Sequence, residues 1–239
     1  FPTRRSSDLD LLGLYIADEN SNLSKDDIIK LIREEVKTFK VITIGDSNVG
    51  KTSIIRRYIY NVFDDKTMST IGLSFSFKEV ELKSGYKITL KIVDTAGQEK
   101  YRSLTKSYFK NSDGVLFVFD YGCKESFEHI QEWVQMFIDN TSQDDIPKYL
   151  IGNKDDLKNK LVTSDMIEEL INKTKFKFKS TSALRTDTNI DEIFNEIAED
   201  MMEKYLSTGD KDQKLKLLKK YTKTKKKYNN CICKINPEA

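Results

Sequence analysis

The stretch Gly45-Asp-Ser-Asn-Val-Gly-Lys-Thr52 fits the pattern G-x-x-x-x-G-K-[ST], and its surroundings fit as well. An apolar run over 39–44 precedes it and reads as a buried strand; Ser53-Ile-Ile-Arg-Arg-Tyr-Ile-Tyr60 follows and reads as a helix. Strand, loop, helix is the setting in which this pattern cradles phosphate. The glycines let the backbone of Asp46, Ser47, Asn48, Val49 and Gly50 wrap an anion with successive N–H groups pointing inward. The helix that begins at Ser53 adds its positive N-terminal end. Lys51 supplies a full charge for β- and γ-phosphates, and the Thr52 hydroxyl is a hard oxygen suited to Mg²⁺.

Beyond this loop, strand and helix signals alternate. Strands are expected at 39–44, 73–82, 86–93, 115–121, 147–151 and 176–179, the second and third joined as a hairpin around Ser84-Gly85. Helices are expected at about 100–110, 126–139, 164–173 and 189–206, the last with Ile190, Ile193, Phe194, Ile197 and Met201 on one face. Such alternation predicts an α/β fold of the P-loop NTPase type, a mainly parallel six-stranded sheet with helices on both faces. Ligands of such sheets bind beyond the carboxyl ends of the strands.

Four further motifs follow predicted strands or the first helix. Asp94-Thr-Ala-Gly-Gln98 offers an acid that can hold Mg²⁺ through a water, a Gly97 N–H for a γ-phosphate and a Gln98 amide that can orient an attacking water. In Asn153-Lys154-Asp155-Asp156 the acid in register is Asp156, which can accept two donors from a guanine edge; adenine presents the opposite pattern there, which opposes an ATP-dependent enzyme. Thr181-Ser182-Ala183 can reach the guanine carbonyl with backbone N–H groups. In Ser69-Thr70-Ile-Gly-Leu-Ser-Phe75, Thr70 is placed to close over γ-phosphate and metal, and Phe63 to pack on the base.

Taken together, and in this order and spacing across about 39–206, the five motifs resemble those of the Ras-like small GTPases, and within them the Rab branch. Rab character rests on Thr-Ile-Gly-Leu-Ser-Phe75, Asp-Thr-Ala-Gly-Gln-Glu-Lys-Tyr-Arg-Ser103 and Ser-Tyr-Phe-Lys110. The resemblance implies a GTP/GDP switch acting in vesicle traffic that hydrolyses GTP slowly without an activator. It implies that Lys51, Thr52 and Thr70 serve phosphate and Mg²⁺, that Gln98 positions water, that Asn153, Lys154 and Asp156 read guanine, and that Ser182, Ala183 and Leu184 flank the base. It further implies effectors, an exchange factor, a GTPase-activating protein, a GDP-dissociation inhibitor and prenylation machinery as partners, with no role for nucleic acid. The rival reading is a GTP-locked scaffold, or a Ras-like signalling GTPase without a trafficking role. Three positions depart from the family pattern. Val93 stands where Rab proteins carry a Trp belonging to an exposed aromatic patch, Asn48 replaces a small residue, and Leu184 replaces a Lys.

The ends of the chain carry separate expectations. Residues 1–9 resemble adapter-derived sequence, and 10–38 read as a helical N-terminal extension. Within the latter, Asp18, Asn20 and Asn22 match the start of an EF-hand loop, but Leu23 and Ile29 stand where its Gly and Glu belong, so a plain helix is favoured. Residues 207–239 form a lysine-rich tail in which nine lysines and one acid fall between 211 and 227. Its Cys231-Ile-Cys233 resembles the C-x-C that Rab proteins carry for double geranylgeranylation, although six residues follow it. The longest apolar run, 115–119, is far too short to span a bilayer, so membrane contact on a cytosolic face would run through the tail. Three cysteines form no disulfide framework, and a reducing compartment is expected. His129, the one histidine, reads as a solvated residue on a polar helix face, Trp133 and Phe137 as core or partner-facing, and Cys123 as a loop or core thiol.

Overall fold

The computed structural model describes residues 37–64, 70, 72–95, 108–141 and 145–208. The chain divides into two units, Phe1–Met201 and Met202–Ala239; of the second, only the end of the last helix is described. The N-terminal extension short of residue 37, the whole of Gly97 and Gln98, most of the helix expected near 100–110, and Cys231 and Cys233 lie outside the described residues.

Six strands, β1 (Lys37–Ile44), β2 (Leu73–Glu81), β3 (Lys87–Thr95), β4 (Gly114–Asp120), β5 (Lys148–Asn153) and β6 (Lys177–Ser180), form one sheet in the order β2-β3-β1-β4-β5-β6. β2 is antiparallel to β3, and every other pair is parallel. The α/β architecture expected from the alternation is the one observed. Among the described residues, five helices accompany it: α1 (Lys51–Tyr60), α2 (Lys124–Glu128), α3 (Ile130–Asn140), α4 (Ser164–Thr174) and α5 (Ile190–Thr208).

Burial follows position in the sheet. β4 lies between two strands, and all seven of its residues are buried, which is why its centre, 115–119, reads as an unbroken apolar run. Phe117 stacks on Phe176 with ring centroids 5.4 Å apart and meets Phe137 edge-on. β2 is an edge strand that alternates, leaving Phe75 and Phe77 exposed. Val93 sits opposite Phe75 in the ladder and is fully buried, so at this place in the aromatic patch the chain has a small core residue. Ile190, Ile193, Phe194, Ile197 and Met201 are buried, as the periodicity of α5 predicts.

Two expectations need correction. The helix expected over 126–139 begins at Lys124 and is two helices, broken at His129. The first strand starts at Lys37, inside what reads from sequence as the N-terminal extension. The fold puts β1 between β3 and β4, so that the chain leaves its carboxyl end in one direction and returns on both sides. A crevice forms at such a switch point, and the predicted loops converge there.

Candidate functional site

The loop after β1 is shaped by two close approaches. Gly45, at φ 150°, runs so near β4 that a Cβ there would lie 2.2 Å from the Val118 carbonyl oxygen. Gly50, at φ 96°, would place a Cβ 2.2 Å from the Asn153 side-chain nitrogen. Asn48 lies between them in the left-handed region at φ 63°, which Asn tolerates better than most side chains. Lys51 turns back into the loop and donates to the carbonyls of Gly45 (2.8 Å) and Asp46 (2.6 Å). Its burial lowers the ammonium pKa to about 8, a fall opposed by the charges of Asp94 and Asp46.

Beside the loop, three side chains converge. Thr52 Oγ1 donates to Asp94 Oδ2 at 2.7 Å, and Thr70 Oγ1 lies 2.7 Å from the same hydroxyl. One hydroxyl proton serves one donor bond, so Thr52 must accept from Thr70. Asp94 is almost fully buried, and its second oxygen, Oδ1, has no hydrogen-bond partner among the described residues. Burial pushes its carboxyl upward, against the Thr52 hydroxyl and the Lys51 charge. A buried acceptor left open beside two hydroxyls is a hard-oxygen donor set, and it fits Mg²⁺.

On the far side of the loop, Asn153 ties two segments together. Its Nδ2 donates to the Val49 carbonyl (2.8 Å), and its Oδ1 accepts the Ala183 N–H (3.2 Å). Asp156 is exposed and accepts a hydrogen bond from the Ser182 hydroxyl, whereas Asp155 is taken by Lys160 at 2.5 Å. Of the two acids, Asp155 is thus held in an ion pair and Asp156 is held to the 182 loop. Leu184 is exposed beside it, and Phe63 is half-buried. Asp46, Ser47, Asn48, Val49, Gly50, Lys51, Thr52, Ser53, Thr70, Lys154, Asp156, Ser182 and Ala183 lie on loops or at the start of α1, while Asp94 and Asn153 lie at the carboxyl ends of β3 and β5.

Sequence reasoning misses the contacts of Asp120, Arg57 and His129 and the Trp133 bond to Asp46. Asp120, the last residue of β4, accepts from Lys154 Nζ at 2.5 Å and from the Gly122 N–H at 2.8 Å. Its place at the carboxyl end of a central strand is a signal that was open to reading. Arg57 is buried and donates to the carbonyls of Ala183 (3.0 Å), Leu184 (3.1 Å) and Asn61 (2.9 Å). No local pattern marks a contact across that much chain. His129 is not simply solvated, for its Nδ1 lies 2.6 Å from Asp46 Oδ2, and the buried Trp133 donates from Nε1 to Asp46 Oδ1 at 2.7 Å. Cys123 is a loop thiol, half-buried, facing Glu125.

Comparison with known proteins identifies the family. Residues 40–203 match the Ras family. The chain is 39% identical over 167 residues to Ras-related protein Rab-10 of Diplobatis ommata, covering 70% of this chain and 82% of that one. It is 37% identical over 172 residues to Ras-related protein Rab-13 of Rattus norvegicus (72% and 82%) and 38% identical over 167 residues to Ras-related protein Rab-8B of Pongo abelii (70% and 79%). With the family matched over residues 40–203 and these relatives 37–39% identical, the chain belongs to the Rab branch of the Ras family, the small GTPases that act in membrane trafficking.

Proposed function

We propose that the crevice beyond β1, β3 and β5 binds GTP or GDP with Mg²⁺, and that the bound γ-phosphate sets the state of the loops around Thr70 and Gln98. The observation that carries this is the convergence of Thr52, Thr70 and Asp94, with a buried carboxylate oxygen left open. Thr52 and Thr70 would hold the ion through their hydroxyls and Asp94 through a water. Mg²⁺ bound there would neutralise charge on the β- and γ-phosphates.

The protein groups act by position and charge. Lys51 exchanges its two loop carbonyls for phosphate oxygens and remains a cation there. Gly97 offers an N–H to the γ-phosphate, and Gln98 aligns the attacking water. Asn153 holds the phosphate loop to the base loop, while Asp156 accepts the guanine donors and the Ala183 N–H serves the guanine carbonyl. Phe63 and Leu184 close the two faces of the base. Turnover without an activator is slow, because positioning alone leaves developing charge on the phosphoryl oxygens unmet.

By its place in the family the chain works with effectors and with regulators of exchange, hydrolysis and membrane extraction. We place it on the cytosolic face of an endomembrane or the plasma membrane, held by prenyl groups on Cys231 and Cys233. The test of the site is retention of a fluorescent GDP with and without Mg²⁺. The ion is expected to slow release from the wild type and to have little effect on Thr52→Ala. Equal slowing in both proteins would overturn the metal assignment.

A further inference from the structure

Asp46 carries the phosphate loop in two directions. Its carbonyl faces inward and accepts from Lys51, while its carboxylate faces α3, with one oxygen against His129 and the other on the Trp133 indole. The ring is partly open to solvent, at 43% side-chain exposure, and the carboxylate is more enclosed, at 21%. A carboxylate turned this way is held off the phosphate cradle. Released, it would be a negative charge free to swing beside a polyphosphate, where like charges repel.

We propose that His129 is a positioning residue for nucleotide retention. Its imidazolium, with Trp133, holds the Asp46 carboxylate against α3, so that GDP leaves faster once His129 loses its proton. This rests on reading 45–52 as the phosphate loop. A neutral imidazole can still donate from Nδ1, so what deprotonation removes is the charge and not the whole contact.

The sign follows from the surroundings. Asp46 faces the ring from the loop, and an anion this close favours the charged imidazole. From α2, the Glu125 carboxylate is within electrostatic reach of the ring. Glu128 precedes the ring in sequence and is paired with Lys124, and Glu132 follows it on α3. These acids act in the same direction as Asp46. The ion pair is therefore complete at low pH and is lost as pH rises through the His129 titration.

The chain has one histidine and one tryptophan, and both lie on Asp46, so each is a unique probe of the cluster. The experiment follows release of a fluorescent GDP from the Mg²⁺-loaded full chain between about pH 5.5 and 7.5, alongside the histidine NMR titration and the indole N–H signal. Wild-type release is expected to quicken about two- to fivefold across this range, the scale of a partly exposed ion pair. His129→Gln should release at the fast rate with a flat profile. Asp46→Asn should also be flat, and should move the histidine midpoint to lower pH and shift the indole signal. A His129→Gln protein that keeps the wild-type pH profile would overturn the proposal. So would a histidine midpoint unmoved in Asp46→Asn, a readout that does not depend on any His129 variant folding. Lys51→Ala separates the two readings: if that protein and the wild type retain GDP equally, the phosphate-loop assignment fails, whatever His129 does.

Discussion

Gly50 has two reasons to be glycine, its φ of 96° and the Asn153 amide 2.2 Å from where a Cβ would stand. Gly50→Ala should therefore act on two loops at once. It forces a left-handed alanine, and it moves Asn153 off the Val49 carbonyl and the Ala183 N–H. A loss of about 1–3 kcal/mol of stability is expected from a strained residue and an orphaned amide. Guanine-nucleotide affinity should fall further than stability does, and thermal unfolding measured beside GDP titration separates the two. Lys51 makes a second residue-scale prediction. Burial in the loop holds its pKa at about 8, against an ordinary 10.5. Between those values the unfolded chain carries a proton that the folded chain lacks, so stability of the empty protein should rise with pH through that window. Phosphate beside Nζ restores the charge, so GDP binding at about pH 9 should take up a proton. Calorimetry in buffers of different ionisation enthalpy checks this; uptake should disappear in Lys51→Arg, whose guanidinium is charged in both states.

At the scale of elements, Arg57 joins the end of α1 to the base loop. The first helix thus runs from the phosphate loop at one end to the Ala183 and Leu184 carbonyls at the other. Arg57→Ala would leave the buried Ala183 carbonyl without its donor, at about 1–3 kcal/mol, and free the part-buried Leu184 carbonyl to meet water. Arg57→Lys restores the charge but not the fork, and should recover only part. The expected signature is faster GDP release in both variants, greater in Ala, with Mg²⁺ dependence retained because Thr52 is untouched. These same elements show what was legible in the sequence. The strands were readable because buried parallel strands are continuous apolar runs, as 115–119 is, and the hairpin because Ser84-Gly85 marks its turn. The motifs were readable because their chemistry is local: a glycine where φ is positive, an acid at a strand end. Asp46, placed in the loop from sequence, gave no sign of its partners. His129 and Trp133 stand over eighty residues away, and His129 falls at a break between α2 and α3 that helical periodicity runs straight through. Arg57 was hidden for the same reason, since only the closed sheet brings residues 57 and 183 together.

For the whole molecule the governing quantity is charge separation. Residues 211–227 carry net +8, which leaves −6 for the rest of a chain whose total is +2. An anionic leaflet attracts the first and repels the second. Each tail lysine lying near such a surface contributes roughly 1 kcal/mol, an attraction that dies away within a Debye length. Unlipidated full-length protein should therefore bind vesicles containing phosphatidylserine weakly and neutral vesicles hardly at all, and raising salt from about 0.05 to 0.5 M should abolish the binding. Prenyl groups on Cys231 and Cys233 would change the regime, because two chains anchor stably where one is marginal. In cells the wild type should then stay on membranes through a high-salt wash. Cys231→Ser/Cys233→Ser should be soluble after the same wash, and the single variants should be intermediate. A double variant that stays membrane-bound in high salt, or unmodified thiols found by mass spectrometry in membrane-fraction protein, would show that the cysteines are not the anchor. The lysines would then act without them.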